Sequence, residues 1–70
     1  MNIFFQKSGE AEVSYGASDF MIMKGGAYVT CAVTGERIPL EELRYWNDDR
    51  QEAYVDAAAA LEAFRKAGTV

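Results

Sequence analysis

Histidine is absent from this 70-residue chain, and cysteine, proline and tryptophan occur once each. Without histidine there is no side chain whose ordinary pKa lies near neutrality, and Ser-His or Cys-His catalytic pairs cannot be built. A single cysteine closes no internal disulfide and fills at most one position of a four-ligand zinc site. The seven basic residues are scattered among eleven acids for a net charge of −4, so no broad positive field draws in nucleic acid or anionic lipid. No uncharged apolar run approaches the ~20 residues that span a bilayer. The start, Met1-Asn2-Ile3-Phe4-Phe5-Gln6-Lys7, lacks both a basic leader and an apolar stretch of signal-peptide length. Together these absences argue against nucleic-acid and membrane partners and make the cytoplasm the expected address.

What is present suits a folded chain. Half the residues are hydrophobic and 26% are charged, a globular balance rather than the polar composition of disordered segments. At this length a single domain over residues 1–70 is expected, burying only about 60% of the surface its unfolded chain exposes, so every apolar face must be used. The expected class is α+β, a small antiparallel β-meander of about four strands over residues 10–40 packed against one long C-terminal helix over residues 48–67.

Residues 1–9 contain the apolar cluster Ile3-Phe4-Phe5, closed by Ser8-Gly9, which suits an edge strand or a flap on the core. From Glu10 to Tyr15 the pattern alternates, with Ala11, Val13 and Tyr15 on one side, the period of a half-buried strand. A turn at Gly16-Ala17-Ser18-Asp19 leads into Phe20-Met21-Ile22-Met23, an apolar run without polar alternation. Gly25-Gly26 suits a two-residue hairpin loop, which would pair Phe20–Met23 with Ala27–Val33. In the latter, Val29, Cys31 and Val33 share the core face. Thr34-Gly35 turns the chain again, and Arg37 to Leu40 forms a fourth strand with Ile38 and Leu40 inward. Pro39 has no N–H to donate, so that strand is short or at an edge. Glu41-Glu42-Leu43 reads as a turn or one helical turn.

Arg44-Tyr45-Trp46 leads into the expected helix, whose cap is Asn47 or Asp48. Asp48 and Gln51 have the spacing of a capping box, and the body runs from about Asp49 to Ala67 with Gly68 placed to end it. Tyr54, Ala57, Ala58, Leu61 and Phe64 form one stripe at helical spacing, and Ala57 to Ala60 favour helix and allow close approach to the sheet. Acids at the start and Arg65 and Lys66 at the end suit the helix dipole. On this phase Leu61 and Phe64 are each buried at a worth of about 1.5–3 kcal/mol, and truncating either to alanine would largely unfold so small a domain.

Five strings carry a resemblance: Glu10-Ala11-Glu12-Val13, Cys31-Ala32-Val33-Thr34-Gly35, Ile38-Pro39-Leu40, Glu42-Leu43-Arg44-Tyr45-Trp46 and Arg50-Gln51-Glu52-Ala53-Tyr54. In them the chain resembles the bacterial domain-of-unknown-function family 2093 over nearly its whole length. The resemblance implies a stand-alone, short, cytosolic bacterial protein with no assigned catalytic residues to carry over. Cys31-Ala32-Val33-Thr34-Gly35 also resembles a zinc knuckle, Cys-x-x-Cys-Gly, with Thr34 in the place of the second cysteine. Half a site is present, and the other ligands would have to be carboxylates or come from another subunit, which suits zinc poorly.

The remaining chemistry-bearing residues have plainer explanations. Cys31 lacks a histidine to activate it and fits a small buried hydrophobe on a strand's inner face. Glu36, Glu41, Glu42, Asp48, Asp49 and Glu52 gather near the sheet-to-helix junction, but their spacing matches no calcium loop, and capping, dipole and solvent account for them. Lys24-Gly25-Gly26 lacks the spacing of a phosphate loop, and Ser8, Ser14 and Ser18 have neither elbow nor base. No cofactor and no catalytic residue is expected. The apolar surplus is more informative. Phe4, Phe5, Met21, Met23, Tyr28, Tyr45 and Trp46 exceed what one helix can cover, so a second face must be covered by the N-terminal segment or by a protein. The leading expectation is a non-enzymatic interaction module or homodimer working through Met21, Met23, Tyr28, Arg44, Tyr45 and Trp46. The alternative is a degenerate zinc-ribbon-like metal-binding domain or small enzyme built on Cys31, Thr34 and nearby carboxylates. A small-molecule ligand between helix and sheet ranks below both, because alanines at that interface leave little room.

Overall fold

Three short antiparallel ribbons and one helix make up the protein in the computed structural model, which describes residues 9–66. The class is α+β. The strands are β1 Glu12–Tyr15, β2 Phe20–Lys24, β3 Tyr28–Thr30, β4 Arg37–Pro39, β5 Tyr45–Asn47 and β6 Glu52–Tyr54, and the helix is α1 Ala57–Lys66. A short 3-10 helix, Leu40–Glu42, joins β4 to β5, the single turn expected there. The expected Ile3-Phe4-Phe5 strand or flap and the Gly68 terminator lie outside the described residues.

The four-stranded meander is replaced by three separate pairs: β1 with β2, β3 with β4, and β5 with β6. The hairpin expected around Gly25-Gly26 does not form. Instead β2 returns on β1 through the Gly16–Asp19 turn, where the Gly16 N–H donates to the Asp19 carbonyl at 2.7 Å and the Phe20 N–H to Asp19 Oδ1 at 2.8 Å. Gly26 serves close approach rather than chain reversal. A Cβ there would lie 2.5 Å from the Ala11 nitrogen, and the flanking bonds, Ala27 N–H to the Gly9 carbonyl and Ala11 N–H to the Tyr28 carbonyl, are both 2.7 Å. The double glycine therefore carries the chain past residues 9–11 into β3.

The Thr34-Gly35 turn forms as expected. Gly35 takes φ 80°, its N–H donates to the Cys31 carbonyl at 3.0 Å, and the Cys31 N–H donates to the Glu36 carbonyl at 2.8 Å. Val29 lies opposite Ile38 and Tyr28 opposite Pro39, so the proline closes a three-residue strand. Val29, Cys31 and Ile38 are buried, as are Ala11 and Tyr15 of the alternating first strand, with Val13 and Val33 half-buried.

The largest departure concerns residues 45–56. They form the β5–β6 hairpin, and the helix begins at Ala57 rather than at residue 48. Asp48 and Gln51 make a hairpin turn instead of a capping box. Asn47 Oδ1 accepts the Arg50 N–H, three residues on, at 3.0 Å, and Gln51 sits in the left-handed region at φ 54°. Its side chain explains why this conformation is held. Gln51 Nε2 donates to the carbonyls of Tyr15 and Asp48 at 2.7 Å each, while Gln51 Oε1 accepts the Tyr15 N–H at 2.9 Å. The amide thus satisfies the edge of β1 as a neighbouring strand would.

Asp56 caps the helix, with Oδ1 accepting the Ala59 N–H at 2.8 Å and its carbonyl accepting the Ala60 N–H at 3.1 Å. The inward face is Ala59 and Ala63, which lets α1 lie close against β5 and β6. The expected stripe is rotated away. Tyr54, placed on it, lies in β6 at 2% exposure, whereas Leu61 is 49% and Phe64 44% exposed. The alanine run explains the misplacement, because four consecutive alanines are compatible with any phase.

The helix phase makes a direct expectation for stability. Ala63→Leu should lower the unfolding free energy by about 1–3 kcal/mol by overpacking, whereas Leu61→Ala should stay within about 0.5 kcal/mol. Urea denaturation of the two variants checks this, and the opposite order of effects would place the buried stripe on the other face.

Candidate functional site

Two places bring chemistry-bearing or apolar side chains together. The first is the knuckle at the end of β3. Cys31 is 2% exposed, and its sulfur accepts the N–H of Thr34 at 3.4 Å and of Val55 at 3.3 Å. The Thr34 hydroxyl donates to the same sulfur and accepts the Glu36 N–H at 3.1 Å. Cys31 and Thr34, the pair singled out as half a metal site, are thus adjacent. Among the described residues no group of three or more Cys, Asp and Glu side chains is placed to hold a metal ion. Burial pushes the Cys31 thiol up, but the Thr34 hydroxyl and the N–H groups of Thr34, Val33 and Val55 outweigh it, and the thiol lies below its usual value. The arrangement ties the β3–β4 turn to the start of α1 across the Cys31–Ala53 bridge, where the Ala32 N–H also donates to the Ala53 carbonyl at 2.9 Å.

The second is an open cleft of about 380 Å³ beside α1, whose walls include Ser18, Arg44, Tyr45, Trp46, Ala60 and Phe64. It exists because the helix presents Ala60 there and the β5–β6 hairpin projects Tyr45. Trp46 lines it and is held by three contacts. Its Nε1–H donates to the Gly16 carbonyl at 2.8 Å, its ring stacks on Tyr15 at 6.2 Å, and Phe20 meets it edge-on at 5.4 Å. Tyr54, which also lines the cleft, donates its hydroxyl to Glu52 Oε2 at 2.8 Å, and burial followed by that carboxylate pushes the phenol up to about 12.

The six residues expected to form an interaction surface lie on β2, β3 and β5, with Arg44 just before β5. Met21 and Met23 are 64% and 63% exposed on β2, while Arg44 and Tyr45 flank the cleft. Trp46 is half-buried and serves packing as much as surface. Tyr28 is half-buried on β3, with the Arg37 guanidinium 4.6 Å over its ring. Among the described residues Ile22, Leu61 and Phe64 are exposed large apolar side chains outside those six. Ile22 carried the needed signal, since an apolar run with no alternation leaves both faces of a thin ribbon uncovered. Leu61 and Phe64 carried none, because their direction follows from a helix phase that alanines do not encode.

A family model described as "Uncharacterized protein conserved in bacteria (DUF2093)" matches residues 22–63. The chain belongs to this family. The DUF2093 segment runs from within β2 to within α1 and takes in the knuckle, the β5–β6 hairpin and most of the cleft wall, while Glu10-Ala11-Glu12-Val13 lies outside it. No curated protein and no solved structure matches the chain. Among the described residues no helix is long and apolar enough to cross a membrane.

Of the three perturbed groups, the Cys31 thiol and the Tyr54 phenol predict opposite pH responses. The Cys31 thiol lies below 9.0 in the fold, so its contribution to stability appears as pH rises through that lowered value and is complete above 9.0. The Tyr54 phenol is raised, so its contribution is whole below pH 10.0 and is lost as pH climbs to about 12. Denaturation across this range should show the wild type gaining on Cys31→Ala in the first interval and losing its advantage over Tyr54→Phe in the second. Parallel pH profiles for all three proteins would contradict both assignments.

Proposed function

We propose that this DUF2093 protein is a non-enzymatic protein–protein interaction module of the bacterial cytoplasm. The observation carrying this reading is the exposed run Met21-Ile22-Met23 at 64%, 49% and 63%, on a chain whose one nucleophilic thiol is buried. Flexible methionines on a soluble protein's surface suit a contact that adapts to its partner, and contiguous exposed apolar groups are energetically unfavourable until covered. Tyr45 and Phe64, 40% and 44% exposed at the rim of the Arg44 cleft, add aromatic and guanidinium groups of the kind enriched in interface centres.

The competing reading, metal binding or catalysis at Cys31 and Thr34, has less support. The sulfur already accepts from Thr34 and Val55 at hydrogen-bond distance and is withdrawn from solvent, so a ligand would have to displace bonds that join the knuckle to the helix.

A photoreactive methionine analogue at positions 21 and 23 tests the interaction reading. In bacterial cytosol these positions should crosslink to protein, either a second copy or a defined partner, and a side chain buried elsewhere should not. Absence of any protein crosslink from either position removes the reading.

A further inference from the structure

We propose that the protein forms a two-fold dimer in which β2 pairs antiparallel with β2 of a second copy, merging two β1–β2 ribbons into one four-stranded sheet. This rests on the interaction reading above and names its partner.

The two edges of the ribbon differ. The outer edge of β1 is engaged: Ala11 donates to the Tyr28 carbonyl, and both backbone groups of Tyr15 bond the Gln51 amide. β2 pairs with β1 on one side, and among the described residues no other strand lies against its far side. A two-stranded ribbon is marginal by itself and gains stability from further strands. Its open edge also carries the most exposed apolar run in the described chain, Met21-Ile22-Met23. Unpaired, flat and apolar strand edges template pairing with another chain.

The charges at the ends of β2 select the partner and the direction. Asp19 precedes the strand and Lys24 ends it. An antiparallel self-pair sets the acid of each copy against the lysine of the other, whereas a parallel pair would set acid on acid and lysine on lysine. The irregularity in register makes this geometrically sound. Tyr15, Ser14 and Val13 oppose Phe20, Met21 and Ile22, but Glu12 opposes Lys24, so Met23 is the extra residue of a bulge. Directly opposed residues share a face, and neighbouring residues of β1 alternate. Lys24 therefore falls on the face of Glu12 and Ser14, the face of Met21, and Asp19, one residue before Phe20, falls there too. Without the bulge Asp19 and Lys24 would lie on opposite faces. With it, a dyad at Met21 sets Phe20 against the partner's Ile22 and Asp19 against the partner's Lys24. The Phe20 N–H, which donates to Asp19 Oδ1 at 2.8 Å, turns in the dimer to the carbonyl of the partner's Ile22, and the carboxylate is released to the lysine. Such an interface is isologous and closes at two copies.

Sedimentation of the full chain over a concentration series, with amide hydrogen exchange on β2, tests this. The wild type should show a monomer–dimer equilibrium, and the β2 amides should gain protection as concentration rises. Met21→Glu and Met21→Lys each place like charges at the dyad. Both should sediment as monomers with wild-type circular dichroism, and an equal mixture of the two should dimerise again. A wild type that stays monomeric with unprotected β2 amides overturns the dimer. So does a dimer that survives both substitutions. A monomeric wild type whose Met21 crosslinks to another protein overturns the second copy while leaving the interaction reading standing, and the loss of both dimer and crosslinks removes both.

Discussion

The β5–β6 hairpin joins three ribbons that could not stand apart. Trp46 of β5 is clamped between Tyr15 and Phe20 and bonds the Gly16 carbonyl, which fastens the β1–β2 ribbon. The Gln51 amide at the hairpin tip supplies a strand's worth of hydrogen bonds to Tyr15. On the other side Ala53 meets the end of β3, and α1 lies over both strands. Short ribbons are individually marginal, so a hairpin that meets β1, β2, β3 and α1 supplies long-range contacts the fold requires.

That arrangement changes the meaning of the chain's rarest residues. Cys31 and Thr34 sit in a knuckle whose sulfur is an acceptor for backbone N–H groups, including one from Val55 at the entrance to α1. The cysteine does the work of a tether, and its lowered thiol value is a by-product of donors gathered for folding. Trp46, the largest side chain, spends most of its surface on packing and leaves the rim of the cleft to Arg44 and Tyr45. Among the described residues the exposed large apolar side chains accordingly lie at β2, Tyr45, Leu61 and Phe64, and none belongs to the Cys31 knuckle.

Much of the local structure was legible before any coordinates. The alternation of Ala11, Val13 and Tyr15, the Thr34-Gly35 turn, Ile38 as a core residue and the shortness of the strand that holds Pro39 all follow from patterns within a few residues, although that strand stops before Leu40. The cysteine's burial was legible for the same reason. The errors fall where two local signals compete. Asn47-Asp48-Asp49 suits a helix cap and a hairpin turn alike, and the aromatics at Tyr45, Trp46 and Tyr54 favour strand over the helix that the spacing of Asp48 and Gln51 suggested. Gly25-Gly26 suits both a hairpin loop and a close backbone approach.

The sequence by itself determined the class, α+β, the reversals at Gly16–Asp19 and Thr34-Gly35, and the terminal helix, because each depends on residue type and short-range spacing. Tertiary structure decided which strands pair, where the helix begins and which way it faces. Those choices rest on contacts between distant residues: Gln51 reaching Tyr15, Ala11 meeting Gly26, and Ala59 and Ala63 finding the β5–β6 hairpin. Alanines and glycines, having little or no side chain, accept several arrangements, and only the packing partner selects one.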